Sequence, residues 1–149
     1  MGIADGNVTL AMVKPWPEIE TRYEIRCLAR QMYHDAELRV VQEHEMQFTY
    51  LGAAEFYAEH RNKGWFEQLV AYMASGPVWV MRVEGLDAII NVRLINGATN
   101  PREAAPTSIR GRLRERFDPA KPAANFIHGS DSLTAARREL ALMGLWMKR

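Results

Sequence analysis

The sequence predicts an α/β protein of the α+β type, a ferredoxin-like sandwich in which a four-stranded antiparallel sheet is covered by helices. The predicted elements follow the order β-α-β-α-β-α-β-α, with a pair of helices after the second strand. The chain has 149 residues, 48% hydrophobic and 25% charged, a balance typical of one soluble globular domain over residues 1–149. No internal repeat or linker suggests a second domain.

The first strand and helix are predicted from an apolar run followed by a helical pattern. Residues 8–13 (VTLAMV) are rich in strand formers, and Lys14-Pro15 ends the run. Residues 18 to about 33 then have the spacing of a helix. Its apolar face is predicted to consist of Ile19, Tyr23, Cys27 and Leu28.

The middle of the chain is predicted to form a second strand and two helices. Residues 37–48 place four apolar side chains on one side of a strand, namely Leu38, Val40, Met46 and Phe48. Thr49 can cap a helix over residues 51–60, and another helix follows over residues 65–74. The apolar residues that recur on this last helix are Trp65, Leu69 and Tyr72 or Met73.

The remaining elements lead to the segment with the most chemical interest. Residues 78–83 are predicted as the third strand, and residues 86–95 as a helix closed by Asn96-Gly97. A short fourth strand over residues 125–127 precedes His128, and the last helix covers residues 132–142. Prolines predict a loop over residues 101–124, where they occupy positions Pro101, Pro106, Pro119 and Pro122.

Charge and cysteine content exclude several classes of protein. Nineteen Lys and Arg against 18 Asp and Glu give a net charge of +1, so no global field attracts nucleic acid or acidic membranes. Cys27 is the only cysteine, which excludes an intrachain disulfide and favours an intracellular protein without a zinc framework. There is no targeting signal, and the apolar runs are far shorter than the roughly 20 residues of a membrane helix. We therefore expect a cytoplasmic enzyme or binding module.

The segment NFIHGSDS, residues 125–132, is the first candidate for chemistry. A strand delivers the His128 imidazole to its end, Gly129 leaves the approach uncrowded, and the serines can cap the next helix. Histidine suits nucleophilic work because its neutral ring is available near pH 7, provided that a second group fixes which nitrogen is free. A lone histidine at a strand end is, however, more often structural.

Cationic side chains form the second candidate. Arg93 lies in a predicted helix, and Arg110 begins the run RGRLRER, which has few acidic residues near it. Guanidinium groups match phosphate oxygens bidentately, so this loop can clamp polyphosphate, although a solvated loop is at least as good an interpretation. The chain has neither GxxxxGK[ST] nor GxGxxG, so a phosphate site must be built from side chains.

Two aromatic residues form the third candidate. Tyr57 and Trp65 flank a helix junction, near His60 and Lys63. An exposed ring there can stack a nucleobase, but a Tyr/Trp pair at helical spacing more often belongs to the core.

Six blocks of the chain occur in a characteristic order. They are TLAMVKP (9–15), FYAEH (56–60), KGWFEQLVAYMASGPV (63–78), EGLDAIINVRLINGATNPREAAP (84–106), SIRG (108–111) and NFIHGSDS (125–132). In these blocks, and above all in the NxxHGSDS motif, the chain resembles the nucleoside diphosphate kinase family from residue 8 to about residue 142.

The resemblance implies a role for each matching residue of the reaction centre. His128 matches the residue that takes and returns a phosphoryl group, and Glu139 matches the one that orients its ring. Lys14 and Asn125 match the residues that bind the ribose hydroxyls, and Lys14 also reaches the transferred phosphate. Tyr57 matches the tyrosine beside the catalytic histidine.

The resemblance also implies where the nucleotide binds. The phosphate clamp is matched by Arg93, Thr99 and Arg110. Trp65 occupies the position of the phenylalanine that stacks on the base, and Leu69 matches its apolar companion. Ser130 and Asp131 match the motif that supports the histidine loop.

A member of this family transfers the γ-phosphate of a nucleoside triphosphate to a nucleoside diphosphate by ping-pong chemistry through a phosphohistidine. The resemblance thus implies a cytoplasmic homo-oligomer that binds ATP and other nucleotides with broad base specificity. It implies Mg²⁺ that is delivered with the nucleotide and no metal site on the chain itself. Neither a membrane nor a specific nucleic acid is expected as a partner.

The chain departs from the family pattern in three places. WPEIETRYE replaces the usual segment after Lys14-Pro15, Thr107 stands where a glycine is usual and is expected to need unusual backbone angles, and 17 positions separate Gly111 from His128. We expect residues 112–124 to form a mobile surface loop. An alternative function is a catalytically impaired nucleotide-binding regulatory module of the same fold. Single-stranded nucleic-acid binding through Trp65 and the arginine-rich run is disfavoured by the near-zero net charge.

Overall fold

The computed structural model describes residues 6–146 and contains one antiparallel sheet. Its strands, in the spatial order β2-β3-β1-β4, are β1 (Val8–Val13), β2 (Arg39–Met46), β3 (Val78–Glu84) and β4 (Ile127–Gly129). The predicted fold class is therefore confirmed, and the bounds of β1 match the predicted strand.

Six α-helices cover the sheet in the described part of the chain. They are α1 (Ile19–Asp35), α2 (Tyr50–Phe56), α3 (Phe66–Met73), α4 (Ala88–Asn96), α5 (Ile109–Arg112) and α6 (Leu133–Leu142). Short 3₁₀ turns follow α2 and α5 at Ala58–His60 and Arg114–Arg116. As predicted, Thr49 caps α2, where its hydroxyl accepts a hydrogen bond from the amide of Gly52.

The sheet separates two hydrophobic cores because successive residues of a strand point to opposite faces. Leu10 and Met12 of β1 pack in the core under α2, α3 and α6, which we call the α2 core. Ala11 and Val13 pack in the other core, under α1, α4 and α5, which we call the α1 core. Both faces of β1 are thus buried, which explains its continuous apolar run.

The predicted apolar face of α1 is wrong for three of its four residues, and only Leu28 packs against the α1 core. The buried residues of α1 are Ile25, Ala29 and Tyr33, whereas Ile19 and Tyr23 are 63% and 59% exposed and Cys27 is also exposed. Apolar side chains occur on more than one side of this helix, so the buried stripe is decided by its contacts with the sheet and α4.

The prediction that four apolar residues share one side of β2 is also wrong. A β-bulge lies between Val40 and Gln42, so Val41 is an additional residue in the pairing with β3. Leu38 and Val40 therefore pack in the α1 core, whereas Met46 and Phe48 pack in the α2 core. One extra residue exchanges the faces of every later side chain because the period of a strand is two.

The fourth strand begins two residues later than predicted. His128 consequently lies within β4, where it pairs with Met12 of β1, and does not follow the strand. Apart from glycines, the described residues with positive φ are Glu37, Asp87 and Phe126. Thr107 is not among them, so the expectation of unusual backbone angles there is wrong.

Residues 101–124 are more ordered than the predicted loop. This stretch contains α5 and a 3₁₀ turn, and Leu113 and Phe117 bury their side chains in the α1 core. Arg116 forms a salt bridge of 2.8 Å with Glu24 of α1, although the sequence suggested no acidic partner for it. None of the helices within residues 6–146 has the length and apolar character needed to cross a membrane.

Candidate active site

A cavity of about 760 Å³ opens beside β4 and the C-terminal end of β1. All ten residues that the sequence predicts for the site line it, namely Lys14, Tyr57, Trp65, Leu69, Arg93, Thr99, Arg110, Asn125, His128 and Glu139. The fold thus gathers these ten side chains from four of its helices, one strand and the connecting segments around one space.

His128 is held by the carboxylate of Glu139. Its Nε2 lies 2.7 Å from Oε1 of Glu139, which also accepts a hydrogen bond of 2.8 Å from the Ser130 hydroxyl. The rings of Phe56 and Tyr57 contact the imidazole edgewise, with centroids 5.4 Å and 6.1 Å away. Because Glu139 engages Nε2, the ring orientation leaves Nδ1 as the nitrogen available for reaction.

The charge of Glu139 determines the tautomer of the histidine. Burial raises the pKa of the Glu139 carboxyl, but the charge of His128, the hydrogen bonds from His128 and Ser130, and nearby Arg138 together hold the pKa below its usual value. An ionised carboxylate accepts hydrogen bonds, so the neutral imidazole carries its proton on Nε2. The lone pair is then on Nδ1, as a nucleophile requires.

Besides the exposed Lys121, three cationic side chains line the cavity without a carboxylate partner in the described part of the chain: Lys14, Arg93 and Arg110. Lys14 and Arg110 are buried, and burial lowers the pKa of Lys14 to about 7, with the charge of Arg110 adding to the effect. Burial also lowers the pKa of Arg110 to about 10, with Tyr33 opposing and Arg93 adding to the shift. Clustered cations without a counter-charge favour binding of an anion.

Backbone carbonyls fix the side chains of this cluster. Arg110 donates from Nε to Asn125 (3.0 Å), from Nη1 to Gly97 (2.7 Å) and from Nη2 to Ile127. Three of its five N–H groups are used in this way, which leaves two for a ligand. Lys14 donates from Nζ to the carbonyl of Ala123 over 3.1 Å. The side chains of Lys14 and Arg110 are therefore held in place by the protein's own backbone.

A row of aromatic rings leads along the cavity from His128 through Tyr57 and His60 to Trp65. Trp65 precedes α3 and is 45% exposed, with the His60 ring 5.1 Å away and Leu69 buried one turn further along. Tyr57 is buried, and its hydroxyl has no hydrogen-bond partner among the described residues. Burial, together with the charge of Glu139, raises the pKa of Tyr57, so the hydroxyl remains a donor at neutral pH.

Sequence reasoning missed several residues that line the cavity. The main ones are Phe56, Asn96, Tyr72, Lys121 and Pro122. The unusual spacing between Gly111 and His128 was a signal for the last two, since that segment forms part of the wall. Phe56 and Asn96 carried no such signal.

A tethered histidine, unpaired cations and an exposed aromatic ring around one cavity define a nucleotide-binding phosphotransferase on an α+β sandwich. The family model described as nucleoside diphosphate kinase matches residues 7–145. The chain therefore belongs to the nucleoside diphosphate kinase family.

Similar proteins agree with this assignment. A nucleoside diphosphate kinase of Gluconacetobacter diazotrophicus is 36% identical over 133 residues, which cover 89% of each chain. The crystal structure of the Aquifex aeolicus nucleoside diphosphate kinase has a TM-score of 0.77 and 33% identity over 92% of this chain and 94% of that one. The Halobacterium salinarum enzyme in complex with CDP has a TM-score of 0.77 and 37% identity over 91% and 85% of the two chains.

These findings identify the activity as phosphate transfer between nucleoside triphosphates and diphosphates. They favour an enzyme over the alternative of a catalytically impaired regulatory module.

Proposed function

We propose that this chain catalyses its reaction by ping-pong transfer through a phosphohistidine at Nδ1 of His128. The observation that carries the proposal is the contact of 2.7 Å between His128 Nε2 and Glu139, which leaves Nδ1 free beside three cations without carboxylate partners. Phosphoryl transfer needs in-line positioning and neutralisation of charge, and these residues supply both.

The bonds change as follows. The Nδ1 lone pair of His128 forms a bond to the γ-phosphorus, and the bond between that phosphorus and the bridging oxygen breaks, so the diphosphate leaves with the electron pair. The positive charge on the ring is balanced by Glu139 at Nε2. A second diphosphate then attacks the phosphohistidine and regenerates the neutral imidazole.

The cationic side chains bind the phosphates in this proposal. Arg93, Thr99 and Arg110 hold the chain of phosphates, and Lys14 reaches the group in transit. These side chains would share the neutralisation of phosphate charge with Mg²⁺ delivered on the nucleotide. The hydroxyl of Tyr57, buried next to His128 without a partner among the described residues, is a further donor toward the reacting phosphate.

The sugar and base occupy the rest of the cavity. Asn125 donates from Nδ2 to the carbonyl of Thr99 over 2.9 Å, while its Oδ1 is buried without a partner among the described residues and can accept from a ribose hydroxyl. The base stacks on Trp65 against Leu69. Stacking uses the π-face, which every base has, so purines and pyrimidines are both accepted.

We further propose that the enzyme is a cytoplasmic homo-oligomer and that residues 1–149 act as one domain. On α4, Ile90 and Leu94 are exposed one turn apart, with Leu86 just before the helix. An exposed apolar stripe of this kind is typical of a protein interface. Light scattering on purified protein would give the number of subunits, and a monomer at micromolar concentration would refute this part.

The central test is incubation with ATP and Mg²⁺ followed by intact-mass and peptide analysis. We expect an acid-labile, base-stable phosphate on His128, and its transfer to added nucleoside diphosphates. His128→Ala should neither label nor turn over, whereas His44→Ala, a control at a half-buried position of β2 outside the cavity, should behave as the wild type. A labelled and active His128→Ala protein would exclude the mechanism.

A further inference from the structure

Phe126 adopts a rare backbone conformation between two residues of the site. Its φ is 79°, and the amide of Ile127 donates to the carbonyl of Asn125 over 3.0 Å. A hydrogen bond between residues two apart around a central residue of this φ is the strained form of the γ-turn. A bulky residue rarely adopts such a conformation because of its steric cost.

The turn decides which side chains reach the cavity. Phe126 and Ile127 are adjacent in sequence, yet both bury their side chains in the α1 core. Asn125 and His128, on either side of them, both line the cavity. A regular strand would send neighbouring side chains to opposite faces, so the γ-turn is what brings Asn125 and His128 together.

Two kinds of contact hold the turn. Backbone groups are bound by Lys14, whose amide donates to the Phe126 carbonyl over 2.9 Å, and by Arg110, which donates to the carbonyls on both sides. The Phe126 side chain is covered by Trp16, with ring centroids 5.1 Å apart. Trp16 is half-buried and follows Pro15, whose carbonyl accepts a hydrogen bond from the hydroxyl of Tyr72.

We propose that Trp16 is a positioning residue for the phosphoryl-transfer centre, because its ring holds Phe126 in the γ-turn that presents His128 and Asn125 to the nucleotide. The inference rests on the proposed function of His128 and adds a residue that touches neither substrate nor reacting atoms. Strained conformations persist only where the surroundings over-determine them, and Trp16 supplies the side-chain part of that constraint.

The test compares Trp16→Ala with Trp16→Phe and with the control Trp79→Ala. Trp79 packs against the same core but contacts Arg26 and Glu43, not Phe126. Single-turnover phosphorylation of His128 by saturating ATP and Mg²⁺ is expected to slow roughly 10-fold to 100-fold in Trp16→Ala, since small misplacements of reacting groups have effects of that size. Trp16→Phe keeps a ring over Phe126 and should recover most of the rate, and Trp79→Ala should stay near the wild type.

Amide hydrogen exchange provides a readout that does not depend on activity. In Trp16→Ala the amide of Ile127 should lose its protection from exchange. In Trp79→Ala the same amide should stay protected, when the two variants are compared at an equal loss of thermal stability. Equal phosphorylation rates and equal Ile127 protection in the two alanine variants would overturn the inference. If Trp16→Ala does not fold, Trp16→Leu against Trp16→Phe makes the same comparison.

Failure of the proposed function looks different from failure of this inference. A wild-type protein that forms no phosphohistidine would refute the proposed chemistry, while the exchange of the Ile127 amide would still decide whether Trp16 holds the turn. A labelled wild type with an unaffected Trp16→Ala would refute only the role of Trp16.

Discussion

The two ends of the cavity differ in how firmly their side chains are held. At the phosphate end, Lys14, Arg110 and Glu139 are buried and hydrogen-bonded to the backbone or to His128. At Trp65, where the base is proposed to stack, the side chain is nearly half exposed. Phosphoryl transfer requires fixed positions, whereas stacking on any base requires only a surface. The difference explains how one site can combine demanding chemistry with broad base specificity.

The largest effect is expected from releasing the histidine at the phosphate end. Glu139→Gln should slow phosphorylation of His128 roughly 100-fold, because acid–base groups and the partners that orient them contribute about 10² to 10⁴ in rate. Rapid-quench experiments with ATP and Mg²⁺ would measure this phosphorylation rate. Glu59→Gln, on the cavity wall beside His60, is the matched control. Equal rates in the two variants would mean that Glu139 does not orient the ring.

A smaller effect is expected from the ribose. Triphosphates that lack the 3′-hydroxyl should phosphorylate His128 roughly 10-fold to 100-fold more slowly at saturation, because that hydroxyl can stabilise charge on the leaving oxygen. Lys14→Ala and Asn125→Ala should reduce the difference between the normal and 3′-deoxy substrates. The measurement is the single-turnover rate of His128 phosphorylation by normal and 3′-deoxy triphosphates on the wild type, Lys14→Ala and Asn125→Ala. Equal rates for the two substrates on the wild type would remove the 3′-hydroxyl from the mechanism.

The base end should respond mainly in binding. Trp65→Ala should weaken nucleotide binding roughly 5-fold to 100-fold, with similar factors for purines and pyrimidines, because stacking contributes about 1 to 3 kcal/mol per base. Trp65→Phe keeps a stacking surface and should change binding little. Titration of the His128→Ala protein with several diphosphates measures this without turnover. A loss confined to one base would indicate recognition of a base edge.

The lowered pKa of Lys14 should make both the stability of the protein and its binding of nucleotide depend on pH. Because its pKa is lowered to about 7 in the fold, the folded state holds fewer protons than the unfolded state between about pH 7 and the ordinary lysine pKa of 10.5, so stability should rise with pH across that range. This rise in stability with pH should be absent in Lys14→Met, as thermal unfolding measured from about pH 7 to about pH 10 can show. Nucleotide phosphates favour the charged amine, so binding near pH 8 should take up a proton, as calorimetry in two buffers can test. Lys63→Met, an exposed lysine, is the control.

The smallest effect is expected from three arginines after Arg110 that do not line the cavity, the exposed Arg112 and Arg116 and the half-buried Arg114. Exposed charges are screened over about 8 Å at physiological salt, so Gln in place of Arg112, Arg114 and Arg116 should leave turnover within about 2-fold. Loss of the Arg116 pair with Glu24 should cost at most about 1 kcal/mol of stability. A fall in turnover as large as that of Arg110→Ala would show that this segment belongs to the phosphate clamp.

Much of the fold and the cavity follows from local patterns. The run VTLAMV predicted β1 to the residue because both of its faces are buried. Thr49 and Ser132 mark helix starts, since a cap needs only the next three residues. The resemblance likewise named ten side chains for the site, and all ten line one cavity.

Features that depend on distant partners could not be read in this way. The buried face of α1 and the bulge in β2 are decided by packing against other elements, which a local pattern does not contain. The pairing of Arg116 with Glu24 joins positions 92 residues apart.

The sequence by itself determined which residues are available for chemistry, and the tertiary structure decided how they meet. NFIHGSDS identifies His128 and Asn125, but nothing local predicts that Phe126 between them takes a φ of 79°. An isolated chain would avoid that conformation because of its steric cost. Contacts from Lys14, Trp16 and Arg110, remote in sequence, outweigh the cost and turn both side chains into one cavity.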